Sequence, residues 1–272
     1  MLRYKLFVLL VVVGAYGASA QELFVQTEPA SNMPAKSVGV RLSNWMMDEQ
    51  ATARVNYHLI PELMWGVNKY LMIHAEGFVS NRINTNALVV EGGGLYAKYR
   101  FYSRDAVKRH FRMAVFGRVS VNNADIHQEE IQTNGHNSGY QIGGIATSLL
   151  HKTAISGSVY YHHALNNLNS NEIPATAERS AINYSLSGGR LMLPKSYTGY
   201  GQVNMNIMME VLGQVLAPGG KQYMDLAPSV QFIFNSQTRV DIGYKYELFG
   251  NMLRTAPNGF ILRVEHLLFN VL

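Results

Sequence analysis

No cysteine occurs in the 272 residues, so no disulfide framework holds this chain. If it is exported, it must rely on a packed core, a metal or a closed hydrogen-bond network. Charge is scarce as well. Asp, Glu, Lys and Arg make up 15% of the sequence, against about a quarter in soluble domains. The net charge of +5 is spread thinly and nowhere clustered, which leaves a nucleic-acid role without support. Past the N-terminus no apolar run reaches about 18 residues, so helical membrane spans are excluded. Catalytic signatures are missing too: there is no Gly-x-Ser-x-Gly elbow and no His-Glu-x-x-His helix. Gly92, Gly93 and Gly94 lack the Lys-Ser/Thr that completes a phosphate loop and read instead as a relief of crowding or a bend within a strand.

What is present begins with an export signal. Arg3 and Lys5 precede an apolar run over 6–13, and Ala18, Ser19 and Ala20 stand before Gln21. These are the three regions of a secretory signal peptide, and the apolar run is too short to cross about 30 Å of hydrocarbon. The expected organisation is a cleaved signal peptide at 1–20, a polar N-terminal periplasmic segment at 21–36, and one further domain over 37–272.

That domain is written in alternation. Over 238–248, Val240, Ile242, Tyr244, Tyr246 and Leu248 fall on one side of an extended chain, and Arg239, Asp241, Gly243, Lys245 and Glu247 on the other. About twelve segments repeat the pattern: 37–45, 51–63, 70–79, 88–102, 110–121, 139–150, 153–163, 180–192, 201–212, 225–234, 238–248 and 260–270. The connections alternate in length. Those at 66–68, 103–107, 151–152, 194–196 and 235–237 are short. Those at 80–87, 122–138, 164–179, 213–223 and 250–258 are longer and rich in Asn, Gly and Pro, and the one near 48–50 breaks the rule. A soluble sandwich accounts for alternation but not for this spacing. The reading is an all-β fold, an antiparallel transmembrane β-barrel of about 12 strands with short periplasmic turns and longer extracellular loops. Closure is required because lipid offers an edge strand no hydrogen-bond partner. Tyr57, Tyr99, Phe101, Phe111, Tyr140, Tyr161, Tyr184, Phe232, Tyr244, Tyr246 and Phe269 recur near strand ends, as interfacial girdles require. Met205 and Met209 read as lipid-facing filler.

Particular stretches carry a resemblance. Glu22-Leu-Phe-Val, Glu28-Pro-Ala-Ser-Asn-Met-Pro-Ala-Lys36, Met64-Trp-Gly-Val-Asn-Lys69, Ile73-His-Ala-Glu-Gly77, Gly94-Leu-Tyr-Ala-Lys-Tyr-Arg-Phe101 and Gly135-His-Asn-Ser-Gly-Tyr140 resemble a group of Bacteroidota outer-membrane barrels. Those barrels are loosely similar to the transporters named for the meta-pathway of phenol degradation. The resemblance implies a location in the outer membrane of a Gram-negative bacterium and hints at transport of a small solute. It carries over no functional residue.

The polar faces are expected to line the lumen with Arg54, Glu76, Lys98, Arg100, Arg112, Arg118, Glu210, Arg239, Asp241, Lys245, Glu247, Arg263 and Glu265, with Glu91 beside them. Rings of such charges select ions, although the mixed signs argue against strong selectivity. A barrel of this size lies between filled and open bores, so plugging and conduction stay open. His58, His74, His110 and His162 should face inward, while His127 and His136 share a loop with Glu129 and Glu130. Imidazole with carboxylate suits a transition metal, yet no pair has the spacing of a known site, and no metal or cofactor is expected. Ser120 and His110 share a face, the kind of pairing chance supplies. The favoured function is a porin-like channel passing small solutes through a charged lumen, in contact with outer-membrane lipid. The alternative is a structural or adhesive barrel with a plugged lumen whose loops bind a partner; an outer-membrane enzyme is the weakest reading.

Overall fold

The computed structural model describes residues 24–49, 55–81, 87–196 and 201–271; the expected signal peptide lies outside them. Twelve strands run in chain order: β1 Ser37–Asp48, β2 Val55–Gly66, β3 Leu71–Ser80, β4 Val89–Ala106, β5 Arg109–Asn122, β6 Ser138–Leu150, β7 Thr153–Leu165, β8 Ser180–Leu193, β9 Asn204–Ala217, β10 Gln222–Phe234, β11 Thr238–Gly250 and β12 Asn258–Leu268. Each pairs antiparallel with its sequence neighbours, and β1 pairs with β12, so the sheet closes into a barrel. Each of the twelve expected segments overlaps one of these strands.

Alternation fixes which face is which. On β11 Ile242, Tyr246 and Leu248 are exposed, while Arg239, Asp241 and Lys245 are buried. The same inversion holds on β1, with Val40 and Leu42 outside and Arg41 and Ser43 inside, and on β9, with Ile207 and Met209 outside and Asn206 and Glu210 inside. An exterior this apolar around an interior this polar is the arrangement of a barrel surrounded by hydrocarbon. Tyr57, Tyr99, Phe101, Phe111, Tyr140 and Tyr246 are exposed on the outer surface.

Irregularities have local causes. The register of β4 against β5 shifts between Arg100 and Tyr102, which turns Tyr102 outward beside Phe101 instead of into the lumen; both rings are exposed. A second shift falls where Phe78 and Val79 of β3 meet Gly92 and Val90. A side chain at Gly92 would run into the carbonyl of Val121, so the glycine serves a close approach of two strands.

The two ends of the barrel differ, though not quite as expected. The β2–β3, β4–β5, β6–β7 and β10–β11 connections are tight and share one end, the turn end, with the start of β1 and the close of β12. The β5–β6 and β7–β8 connections at the opposite, loop end are long. Two connections depart from the pattern. The expected loop over 213–223 is mostly strand, because β9 continues to Ala217 and turns through 218–221, with Gly220 at φ 73°. Gly213, which read as a loop former, sits in the sheet, and the Tyr184 ring fills the space where its side chain would be. The β8–β9 connection, expected to be short, spans 194–203 at the turn end.

Placing a cation on the outer face tests this orientation. Ile242→Arg is expected to destabilise the barrel in lipid by about 2–4 kcal/mol if the residue lies near the midplane. Reversible denaturation in bilayers of defined thickness measures it, and unchanged stability would place Ile242 away from hydrocarbon.

Candidate functional site

The lumen is crossed from both ends by chain that is not part of the sheet. Most of the segment expected in the periplasm lies inside the barrel: Phe24, Val25, Ala30 and Met33 are buried, while Ala35 and Lys36 are exposed. Glu210 on β9 draws them in. Its carboxylate accepts hydrogen bonds from the backbone N–H groups of Val25 (2.9 Å), Gln26 (2.8 Å) and Thr27 (3.0 Å), and from the Thr27 hydroxyl (2.7 Å). Backbone donors in an irregular segment must find acceptors when buried, and one carboxylate satisfies three at once. Across the bore, the Ala30 N–H donates to Thr147 on β6, Arg112 on β5 donates to the Ser31 hydroxyl, and Lys98 on β4 donates to the Pro29 carbonyl at 2.7 Å. Glu28 pairs with Arg41 at 2.8 Å and with Lys98 at 3.3 Å. Burial alone would push the Glu28 carboxyl upward, but the Arg41 guanidinium and then the Lys98 ammonium outweigh it and hold the group well below the ordinary carboxylate range. Phe24 and Val25 pack with Ala154, Met208 and Ile261, and Ala30 and Met33 with Met64, Met72 and Phe116. This segment touches the wall on several sides.

At the loop end the β5–β6 connection, 123–137, folds inward. The Ile131 N–H donates to the Gln214 side chain, which donates back to the Ile131 carbonyl, each at 2.9 Å. Arg254, in the β11–β12 connection, clamps it. Its guanidinium reaches Glu130 at 2.8 Å, Asp225 at 2.7 Å and Glu247 at 2.7 Å, and lies 3.6 Å from the centre of the Tyr223 ring. Burial raises the Glu130 carboxyl, while Arg254 and then Lys245 lower it further, to about 2. Ile131, Ile173, Leu216, Tyr223 and Met252 form an apolar cap around the clamp.

The remaining wall charges are paired along rows of direct cross-strand partners. Glu62, Arg41, Glu265 and Arg239 stand side by side on β2, β1, β12 and β11, alternating in sign and spanning the β1–β12 seam. Arg41 meets Glu265 at 2.7 Å and Glu62 at 3.3 Å, and Arg239 meets Glu265 at 2.9 Å. In the next row Ser43, Arg263, Asp241, Gln231 and Asn206 follow one another. Arg118 pairs with Glu76 at 2.9 Å.

Of the residues read from the sequence as lumenal, Glu76, Lys98, Glu210, Arg239, Asp241, Lys245, Arg263 and Glu265 are buried inside the barrel, and Arg118 lies partly buried among them. Arg100 and Arg112 lie toward the turn end: Arg100 donates to the Lys69 carbonyl, and Arg112 reaches both Asp105 and Ser31. Glu247 is half-buried near the loop-end rim beneath Arg254. Arg54 lies outside the described residues. Glu91 is buried and accepts from Ser80. His74 and His162 are buried, whereas His110 pairs with Asp105 at the turn end. Ser120 donates to the Asn137 carbonyl near the opposite end of β5, so Ser120 and His110 form no catalytic pair. Sequence reasoning passed over Arg41, although it alternates with Val40 and Leu42. Glu130 was read only as a neighbour of His127 and His136; its pairing with Arg254 carried no signal, because the two lie 124 residues apart on loops.

Between the two intrusions two adjoining chambers remain, of about 140 and 130 Å³, sharing Gln26, Thr27, Trp45, Asn134, Tyr160 and His162. Volumes of this size in polar surroundings hold on the order of ten waters each.

The closed barrel is similar to an outer membrane channel from Pseudomonas putida F1, at 10% identity, with 90% of this chain and 99% of that one covered and a TM-score of 0.55. The likeness is one of fold. OccK1 of Pseudomonas aeruginosa (8% identity; 85% and 97% covered; TM-score 0.36) and a loop-deleted OmpT of Vibrio cholerae (10%; 85% and 98%; 0.36) superpose more loosely and carry no argument. No family model matches the chain, and no curated protein matches it.

Two outcomes follow from this geometry. Glu210→Ala strands three buried donors at about 1–3 kcal/mol each, so the amides of Val25, Gln26 and Thr27 should exchange with solvent at least about a hundredfold faster. Hydrogen-exchange mass spectrometry reads this directly, and unchanged protection would mean the carboxylate does not hold the segment. The depressed Glu130 carboxyl stabilises the docked loop above the ordinary carboxylate range near 4.3, and that contribution is lost as pH falls toward about 2. Protection of 123–137 should therefore be flat from pH 7 to 5 and decline only below that.

Proposed function

We propose that this protein is a porin-like channel of the Gram-negative outer membrane, passing small polar solutes through a charged lumen obstructed from both ends at rest. The observation that carries this reading is the pair of polar chambers left between segment 24–36 and loop 123–137. A barrel meant only as a scaffold would gain by filling that space with side chains, since packed interiors leave few voids larger than a water. The apolar exterior, the export signal read at the N-terminus and the resemblance to outer-membrane transporters support the location. In that orientation the turn end faces the periplasm and the loop end the outside.

Conduction then requires one or both intrusions to withdraw. Each is held by a few buried polar contacts rather than by sheet pairing, and elements of that kind open at lower cost than strands. The mixed signs of the wall favour neither cations nor anions strongly. A structural barrel remains the second reading, favoured by the fact that chain crosses the bore from both ends.

Planar-bilayer recording of the full chain separates the two. The wild-type barrel should open rarely. Arg254→Ala, which unclamps loop 123–137, and Glu210→Ala, which frees segment 24–36, should each raise open probability several-fold, and the double variant more than either. If the double variant shows no channel events in any salt, the porin reading fails.

A further inference from the structure

The wall of the second chamber carries a group of side chains that the pairing of the lumen does not exhaust. Glu62 on β2 and Glu76 on β3 are direct cross-strand partners, and His74, two residues before Glu76, shares their face. All three are buried, and each offers a ligand atom within 4.8 Å of the others. Like charges placed opposite each other destabilise a sheet. Here Arg41 at 3.3 Å from Glu62 and Arg118 at 2.9 Å from Glu76 offset that cost from outside the group. They leave two buried ligand-type atoms of the group unmet. Glu76 uses Oε1 for Arg118, while its Oε2 is buried with no hydrogen-bond partner, and so is Nε2 of His74. The other imidazole nitrogen, Nδ1, lies 3.3 Å from Glu62.

We propose that Glu62, His74 and Glu76 form a lumenal binding site for one divalent transition-metal ion of the zinc class. A neutral imidazole always keeps one nitrogen lone pair, and two carboxylates supply anionic oxygens beside it. One nitrogen and two oxygens suit Zn²⁺ or a neighbouring first-row ion, whereas Ca²⁺ and Mg²⁺ call for six or more oxygens. Ligand bonds of about 2.0–2.2 Å place donor atoms roughly 3–3.5 Å apart, so side-chain rotation closes the set from its present spread. Glu62 and Glu76 both border the second chamber, which gives the ion a route in and leaves water its remaining positions. Arg41 and Arg118 then act as carboxylate-orienting groups of the kind that fix ligands in metal centres.

The experiment uses the tag-free full-chain barrel in detergent, stripped with chelator and titrated with Zn²⁺ alone by calorimetry. One saturable site per barrel is expected, at least about tenfold weaker in His74→Ala and in Glu76→Gln, and unchanged in His127→Ala, which lies outside the group. Heat-modifiable migration confirms that each variant is folded. Should His74→Ala fail to fold, Glu62→Gln and Glu76→Gln carry the test. Absence of saturable binding, binding indifferent to these substitutions, or equal competition by Mg²⁺ would overturn the proposal.

Discussion

A bore of twelve strands is too narrow to leave inward-pointing charges in bulk water, so every one of them must find a partner. Removing one member of a buried pair costs about 3–5 kcal/mol, and this barrel answers with rows rather than isolated pairs. The alternation of Glu62, Arg41, Glu265 and Arg239 across four strands satisfies Arg41 and Glu265 from two sides. It also crosses the seam where the first and last strands meet. Register at that seam is therefore held by charge as well as by backbone hydrogen bonds, and a slip of one residue there would put Arg41 and Glu265 on opposite faces of the sheet.

The same constraint explains how irregular chain came to occupy the lumen. Segment 24–36 brings buried N–H groups that strands would satisfy through the ladder, and Glu210 satisfies three of them. In return, Glu28 supplies an anion to Arg41 and Lys98. The loop-end intrusion repeats the logic with the signs arranged differently: one guanidinium, Arg254, gathers three carboxylates from a loop and two strands. Both intrusions are held by a small number of strong, specific contacts. That mode of attachment is suited to release, since losing one partner unsettles the rest.

In the group that borders the second chamber, Oε2 of Glu76 and Nε2 of His74 are buried without a hydrogen-bond partner. A nitrogen and an oxygen left unmet beside a second carboxylate invite a cation there.

The period of two along 238–248 and its siblings was enough to determine twelve strands, their faces and the apolar exterior, because side-chain direction in an extended chain depends only on parity. Parity likewise marked Glu76, Lys98, Arg239, Asp241, Lys245, Arg263 and Glu265 as a set. Strict alternation from Phe101 would point Tyr102 into the lumen, but a register shift breaks the count there; and 213–223 read as loop, because a glycine facing Tyr184 looks in sequence like a glycine in a turn. What parity cannot express is meeting across the bore. That residues 24–36 turn inward onto Glu210, and that Arg254 finds Glu130 from 124 positions away, was decided only when closure of the sheet brought distant strands around one narrow, poorly hydrated space.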